Sequence, residues 1–326
     1  MLPAERDWQA AADAIAAART VLVLSHVSPD GDAIGSLLGM AGLLRGLGKN
    51  VTAAVDEGPP EELAFLPKSQ IILPSLARGE FDLMVALDAG DIERLGAVGA
   101  YGLAHSRHVL NLDHHPTNTR FGHIQLVNPA AVATAEIVYD LLQYTGWSLS
   151  RDVAYALLTG LVTDTLGFRI PATNSRCLAI AQALMEAGAP LPEIMARTLN
   201  RRSFAEVTLW RQALPSVRLE DGLISAAITQ GDLRQARLGK ETNGELVNYL
   251  VEVDEAKVAV VFKELPRAVK VSLRAKPGYD VGRLGAALGG GGHVLAAGCT
   301  LAGTLAQARE RVLPLARELI AAGDSL

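Results

Sequence analysis

The sequence predicts an α/β fold in two parts, a parallel sheet flanked by helices followed by a smaller α/β domain. Three observations predict it. In the first half, apolar runs at 21–25, 51–55, 83–87 and 109–112 alternate with stretches of helical periodicity, the pattern of a parallel sheet covered by helices. Each run ends in a cluster of polar residues, and open α/β sheets place their ligand crevice there, at the carboxyl ends of the strands. Beyond residue 215 the pattern changes to strand-like runs with helices among them.

Taken in order, the first run leads into a helix from Ala33. Helical patterns follow at 134–144, 152–166 and 175–187, the last with Asn174 as its N-cap. From Gly188, the segment GAPLPEIMARTLNRRSFAEVTLW with its two prolines reads as a helical connector. The expected division is therefore a domain over 1–187, a connector over 188–215 and a second domain over 216–326. In the second domain SVRLEDGLISAAIT is strand-like, a helix is expected over 244–251, and AKVAVVFKEL with RAVKVSLRAK reads as a hairpin. A helix over 279–288, a glycine run and a helix over 305–322 complete it.

Composition narrows the function. A chain of 326 residues with 49% hydrophobic residues can bury two ordinary cores. Its N-terminus carries charges of both signs and no long apolar stretch, so a cytoplasmic protein without membrane insertion is expected. Cys177 and Cys299 lie far apart in no metal-binding spacing, which argues for packing thiols. A net charge of −5 argues against binding long duplex DNA or RNA, because that affinity comes from many Lys and Arg contacts to phosphate.

The chemistry-bearing residues gather at strand ends. VLVLSHVSPDGDAIGS runs a strand into His26, Asp30 and Asp32 before a helix begins; an Asp-Gly turn with Asp32 as helix cap is the plainer alternative. FDLMVALDAGD then places Asp88 at a second strand end, and HVLNLDHHPTN places Asp113, His114 and His115 at a third, although polar strand ends can do no more than cap a neighbour. Asp164 stands in the mostly apolar helix VAYALLTGLVTDTLGF, where it either faces solvent or needs a partner such as a metal ion. The set His26, Asp30, Asp32, Asp88, His114 and Asp164 holds carboxylates, two imidazoles and no thiolate, a mixture that suits Mn2+ or Mg2+ better than structural zinc. With one acid as a bridge, these side chains suffice for two cations, the arrangement that stabilises attacking and leaving oxygens in phosphoryl displacement.

The ordered segments SHVSPDGDAIGS, VALDAGD, NLDHHP and GLVTDTLGF resemble the four motifs of the DHH phosphoesterase superfamily, whose naming triplet stands here as Asp113-His114-His115. GGGGHVLAAG, residues 289–298, is similar to the signature of the associated DHHA1 domain, so the resemblance spans nearly the whole chain. It implies a catalytic first domain and a substrate-binding second one. The two-domain layout looks like the bacterial oligoribonuclease (nanoRNase) and 3′-phosphoadenosine-5′-phosphate (pAp) phosphatase group. The resemblance thus implies a Mn2+-dependent phosphoesterase, with Mg2+ or Co2+ as substitutes, that hydrolyses short single-stranded RNA or DNA exonucleolytically to mononucleotides and dephosphorylates pAp. Matched by motif position, His26, Asp30 and Asp88 bind one ion, and Asp32, Asp88, His114 and Asp164 the other. By the same match His115 faces the scissile phosphate and Asp113 orients its histidine neighbours.

Arg274 is similar to a family arginine that contacts substrate phosphate; the plain alternative is a surface charge. Gly290, Gly291, Gly292 and His293 are expected to turn N–H donors toward a terminal phosphate, where the plain alternative is a flexible linker. The metal motifs also fit a phosphodiesterase for linear or cyclic dinucleotides (pApA, pGpG, cyclic-di-AMP), an inorganic pyrophosphatase or polyphosphatase, and a nucleotide sensor without activity. A homodimer is compatible with each.

Overall fold

The computed structural model describes residues 2–238 and 246–323. The chain divides into two compact units, Met1–Arg201 and Arg202–Leu326. In the first, α1 (Glu5–Ala17) precedes β1 (Thr20–Leu24), α2 (Gly31–Gly46), β2 (Asn50–Ala54), β3 (Ile72–Leu73), β4 (Phe81–Leu87), α3 (Gly96–Ala104) and β5 (Ser106–Asp113). Then come β6 (Ile124–Val127), α4 (Thr134–Thr145), α5 (Arg151–Asp164), α6 (Ser175–Glu186) and α7 (Leu191–Arg197). The strands form one sheet, ordered β3-β2-β1-β4-β5-β6, with every pairing parallel.

Alternate strand residues leave this sheet on opposite faces. Val21, Val23, Val85, Leu87, Leu110 and Leu112 pack in the main core with α2, α4 and α5, whereas Leu22, Leu24, Met84, Ala86 and Val109 pack with Val98 of α3. Burial on both faces is why these strands read as largely apolar runs rather than alternation, and each fully buried Val or Leu contributes about 1.5–3 kcal/mol. The expected parallel sheet flanked by helices is therefore what forms. Its strand order reverses between β1 and β4, and an open sheet leaves a crevice at such a switch point, beyond the carboxyl ends of the strands. His26 stands just past β1 and Asp88 directly after β4.

A second feature brings distant acids together. Along α2, glycines face α5: a Cβ on Gly35 would lie 2.5 Å from the Ala156 carbonyl oxygen and 2.8 Å from Gly160 N, while Gly31, Gly39 and Gly42 lie against the side chains of Thr163, Leu157 and Val153. At Gly35 the helices meet backbone to backbone, and the start of α2, with Asp32, lies against the end of α5, with Asp164. Gly35→Ala is expected to cost about 1–3 kcal/mol, because backbone cannot yield as a side-chain tip can. A thermal melt reads this as a Tm several degrees lower, and an unchanged Tm would refute the close approach.

The second unit contains α8 (Phe204–Ala213), β7 (Arg218–Glu220), β8 (Leu223–Ile228), α9 (Gln230–Ala236), α10 (Leu246–Val251), β9 (Val258–Glu264), β10 (Ala268–Ala275), α11 (Val281–Ala287), β11 (Gly291–His293), β12 (Ala296–Ala302) and α12 (Leu305–Ala322). Residues 244 and 245, the expected start of α10, fall outside the described residues. The sheet order is β11-β12-β10-β9-β8-β7, antiparallel except for β8 with β9. The expected β9–β10 hairpin forms, while SVRLEDGLISAAIT makes two strands joined by a turn at Asp221 and Gly222, both at positive φ. The glycine run is not a linker. Gly291 and Gly292 belong to the edge strand β11, where a Cβ on Gly292, at φ 146, would collide with the Ala296 carbonyl.

Candidate metal centre

The first carboxylates are placed by the entry into α2. Asp30, not Asp32, is the N-cap: it accepts hydrogen bonds from Asp32 N (3.1 Å) and Ala33 N (3.0 Å). Asp32 lies inside the first turn, fully buried. Its two oxygens accept from Thr134 N (2.6 Å) and Ala135 N (3.0 Å), so it caps the start of α4 from another part of the chain. Gly160 leaves the room it needs, since a Cβ there would come within 2.5 Å of Asp32 Oδ1.

Asp88 stands at the centre. Its backbone is left-handed (φ 57), which turns its side chain sharply away from the strand direction. Asp88 Oδ2 lies 3.5 Å from His26 Nε2, and Oδ1 lies 3.6 Å from His114 Nε2 and 3.7 Å from His115 Nδ1. His114 Nε2 is also 3.3 Å from Asp164 Oδ2. The other edge of the His26 ring faces the Val27 carbonyl oxygen at 2.8 Å and Arg94 Nη2 at 3.1 Å. Three groups of ligand atoms result, each within 4.8 Å of one another: His26, Asp30 and Asp88; Asp32, His114 and Asp164; and Asp88, His114 and His115.

Asp113 is fully buried behind this cluster with both carboxylate oxygens engaged. Oδ1 accepts from His115 Nδ1 (2.7 Å), and Oδ2 accepts from Asn118 Nδ2 (2.6 Å), which also donates to the Ala89 carbonyl (3.0 Å). The Asp113 bond holds a proton on His115 Nδ1 and directs Nε2 away from Asp113.

The electrostatics are those of crowded acids. Burial first, then repulsion from Asp88, Asp164 and Asp30, pushes the Asp32 carboxyl well above its usual range. Asp164 is raised in the same way, by burial and by Asp88 and Asp30. Burial also pushes Asp88 up, but the hydrogen bond with His26 and the charges of His114, His115 and His26 outweigh it and hold the group at about 2. His115 is raised to about 9, chiefly by its bond to Asp113. Asp88 is thus held low by its imidazole neighbours while Asp32 and Asp164 are pushed up. Crowded oxygen donors together with imidazoles fit a hard divalent cation. A cation competes with protons for the raised carboxyls of Asp32 and Asp164, so affinity should rise with pH as they ionise. Calorimetry with Mn2+ in buffers of different ionisation enthalpy should register proton release; a pH-independent affinity would contradict this.

In the second unit, register aligns Arg274 with Ala296 and Ala296 with His293 across three neighbouring strands, so Arg274 and His293 project from one face. Arg274 Nη1 donates to the Leu273 carbonyl (2.9 Å), and Gly291–His293 are exposed. Two contributors went unmarked in the sequence, Asn118 and Thr134. The only hint for Asn118 was its place in the HHPTN turn; Thr134 looked like an ordinary helix start.

Residues 20–161 match the model of the DHH family, N-terminal domain, and residues 224–322 match the DHHA1 domain. The chain belongs to the DHH family. Its DHH match contains His26, Asp30, Asp32, Asp88 and His114, and ends just before Asp164. A relative in Thermus thermophilus, named bifunctional oligoribonuclease and PAP phosphatase NrnA, is 37% identical over 91% of this chain and 89% of its own length. A probable manganese-dependent inorganic pyrophosphatase of Streptococcus mutans is 28% identical over 53% of this chain and 57% of its own. Among solved DHH-like structures, an exopolyphosphatase-related protein from Bacteroides fragilis covers 98% of each chain with a TM-score of 0.90 at 25% identity.

Proposed function

We propose that this DHH-family protein is a Mn2+-dependent phosphoesterase that degrades short single-stranded oligonucleotides from one end to mononucleotides and dephosphorylates pAp. The observation that carries the reading is the convergence of carboxylate and imidazole atoms from three strand ends and a helix end on Asp88. The similarity to the Thermus relative supports the substrate class, because it extends over nine-tenths of the chain, 91%, through both domains. The pyrophosphatase similarity covers 53% of the chain, which weighs for the shared metal chemistry rather than that substrate.

Two ions are the reading that uses both imidazoles and all four carboxylates of the proposed ligand set: His26, Asp30 and Asp88 for one, and Asp32, Asp88, His114 and Asp164 for the other. Bound there, they would supply Lewis acidity and a lowered pKa for water. The side chains do the rest. Asp88 holds both halves of the cluster in register, Asp113 fixes the ring of His115, and His115 presents its other edge to the phosphate being cut. Arg274, His293 and the backbone of Gly290, Gly291 and Gly292 receive a terminal phosphate.

His293→Ala should raise KM or alter substrate preference while Mn2+ content stays unchanged; loss of Mn2+ from that variant would contradict its assignment. The direct test is a time course with Mn2+ on labelled RNA and DNA of about two to ten nucleotides, pAp, pApA, pGpG and cyclic-di-AMP. Shortening from one end together with phosphate release from pAp supports the reading. Preference for a cyclic dinucleotide would replace it with the signalling phosphodiesterase, and binding without any hydrolysis would replace it with a sensor.

A further inference from the structure

We infer that Thr134 is a positioning residue that sets the spacing of Asp32 and Asp88 for metal binding, through its backbone N–H to one and its hydroxyl to the other. The inference rests on reading the cluster as a divalent-metal site. Thr134 is fully buried at the start of α4. Its N–H donates to Asp32 Oδ2 at 2.6 Å and its Oγ1 donates to Asp88 Oδ1 at 2.9 Å. One residue thus grips a carboxylate from each half of the cluster.

A threonine at a helix start usually spends its hydroxyl on its own helix. Here the N-cap is Ala133, which has no side chain able to do so, and Asp32 supplies the cap from 102 positions away. The hydroxyl of Thr134 is therefore directed at Asp88 and not at the backbone of α4. It meets Oδ1, the same oxygen that faces His114 and His115. A carboxylate oxygen has two lone-pair directions, so a donor on one fixes the rotamer and leaves the other for a cation. That matters for Asp88, whose left-handed backbone costs energy and holds only if surrounding contacts fix it. Partners standing behind metal ligands are commonly worth about 10–100-fold in affinity.

The test compares Thr134→Ala with Thr134→Ser, which differ only in the hydroxyl and leave the N–H to Asp32 in place. Folding is checked by melting in chelator, with the isosteric Thr134→Val replacing the alanine variant should that one unfold. Calorimetry should give the hydroxyl-less variant a Mn2+ affinity about 10–100-fold lower, with Ser binding as the wild type does. At saturating substrate its kcat should fall while KM for oligonucleotide holds. Equal Mn2+ affinity for the Ala (or Val) and Ser variants overturns the inference. A wild type that binds Mn2+ but hydrolyses nothing would sink the proposed function alone, because the affinity comparison would still decide the role of Thr134.

Discussion

Asp88→Asn is expected to abolish turnover, by more than about a thousandfold, beyond the 10²–10³-fold typical of deleting one preorganised donor to a transition state. The reason is position. Asp88 faces His26 through one oxygen and His114 and His115 through the other, so its carboxylate meets both halves of the cluster. Asparagine is chosen because it keeps the shape and tolerates φ 57, which alanine does at greater cost. The amide cannot bridge two cations as a carboxylate does, so Mn2+ stoichiometry should fall together with activity. Arg274→Ala, which touches only the expected phosphate grip, should retain more activity. Equal residual rates for the two variants would contradict the central place given to Asp88.

His115→Ala should lower kcat by about 10²–10³-fold while bound Mn2+ stays near the wild-type level. Its Nδ1 sits 2.7 Å from Asp113 and 3.7 Å from Asp88, so the ring is tied to the buried acid behind it more closely than to the central carboxylate. On the proposed function, a ring held this way would act on substrate through its far edge. The measurement pairs steady-state kinetics with metal analysis of the dialysed variant. Loss of Mn2+ in proportion to activity would make His115 a ligand, the role that its grouping with Asp88 and His114 also permits.

The parts of the fold that were legible in the sequence share a physical cause. β1 and β4 are buried on both faces, so each appears as a solid apolar run, and β5 as one interrupted only by the buried Asn111. β6 escaped notice because it is four residues long and carries Gln125, and β3 because it is two residues long. The strand-end residues were visible because an apolar run must end where the ligand crevice begins. What could not be read was which of them meet. Asp32 and Asp164 come together through the glycines of α2, whose missing side chains are a packing fact between two helices and leave no local signature. Asp32 was weighed as a helix cap; it does cap a helix, but α4 and not its own, a pairing set by tertiary structure. The second unit repeats the lesson, since the glycines read as a phosphate cradle or a linker are also required for β11 to lie close against β12.

The central claim is that the side chains around Asp88 seat a pair of divalent cations. Crystals grown with Mn2+ and measured at the manganese absorption edge test it most directly. The account predicts two anomalous peaks on either side of Asp88, one beside His26 and Asp30, the other beside Asp32, His114 and Asp164. An empty map at Asp88 with peaks elsewhere, or no peak at saturating Mn2+, would contradict it.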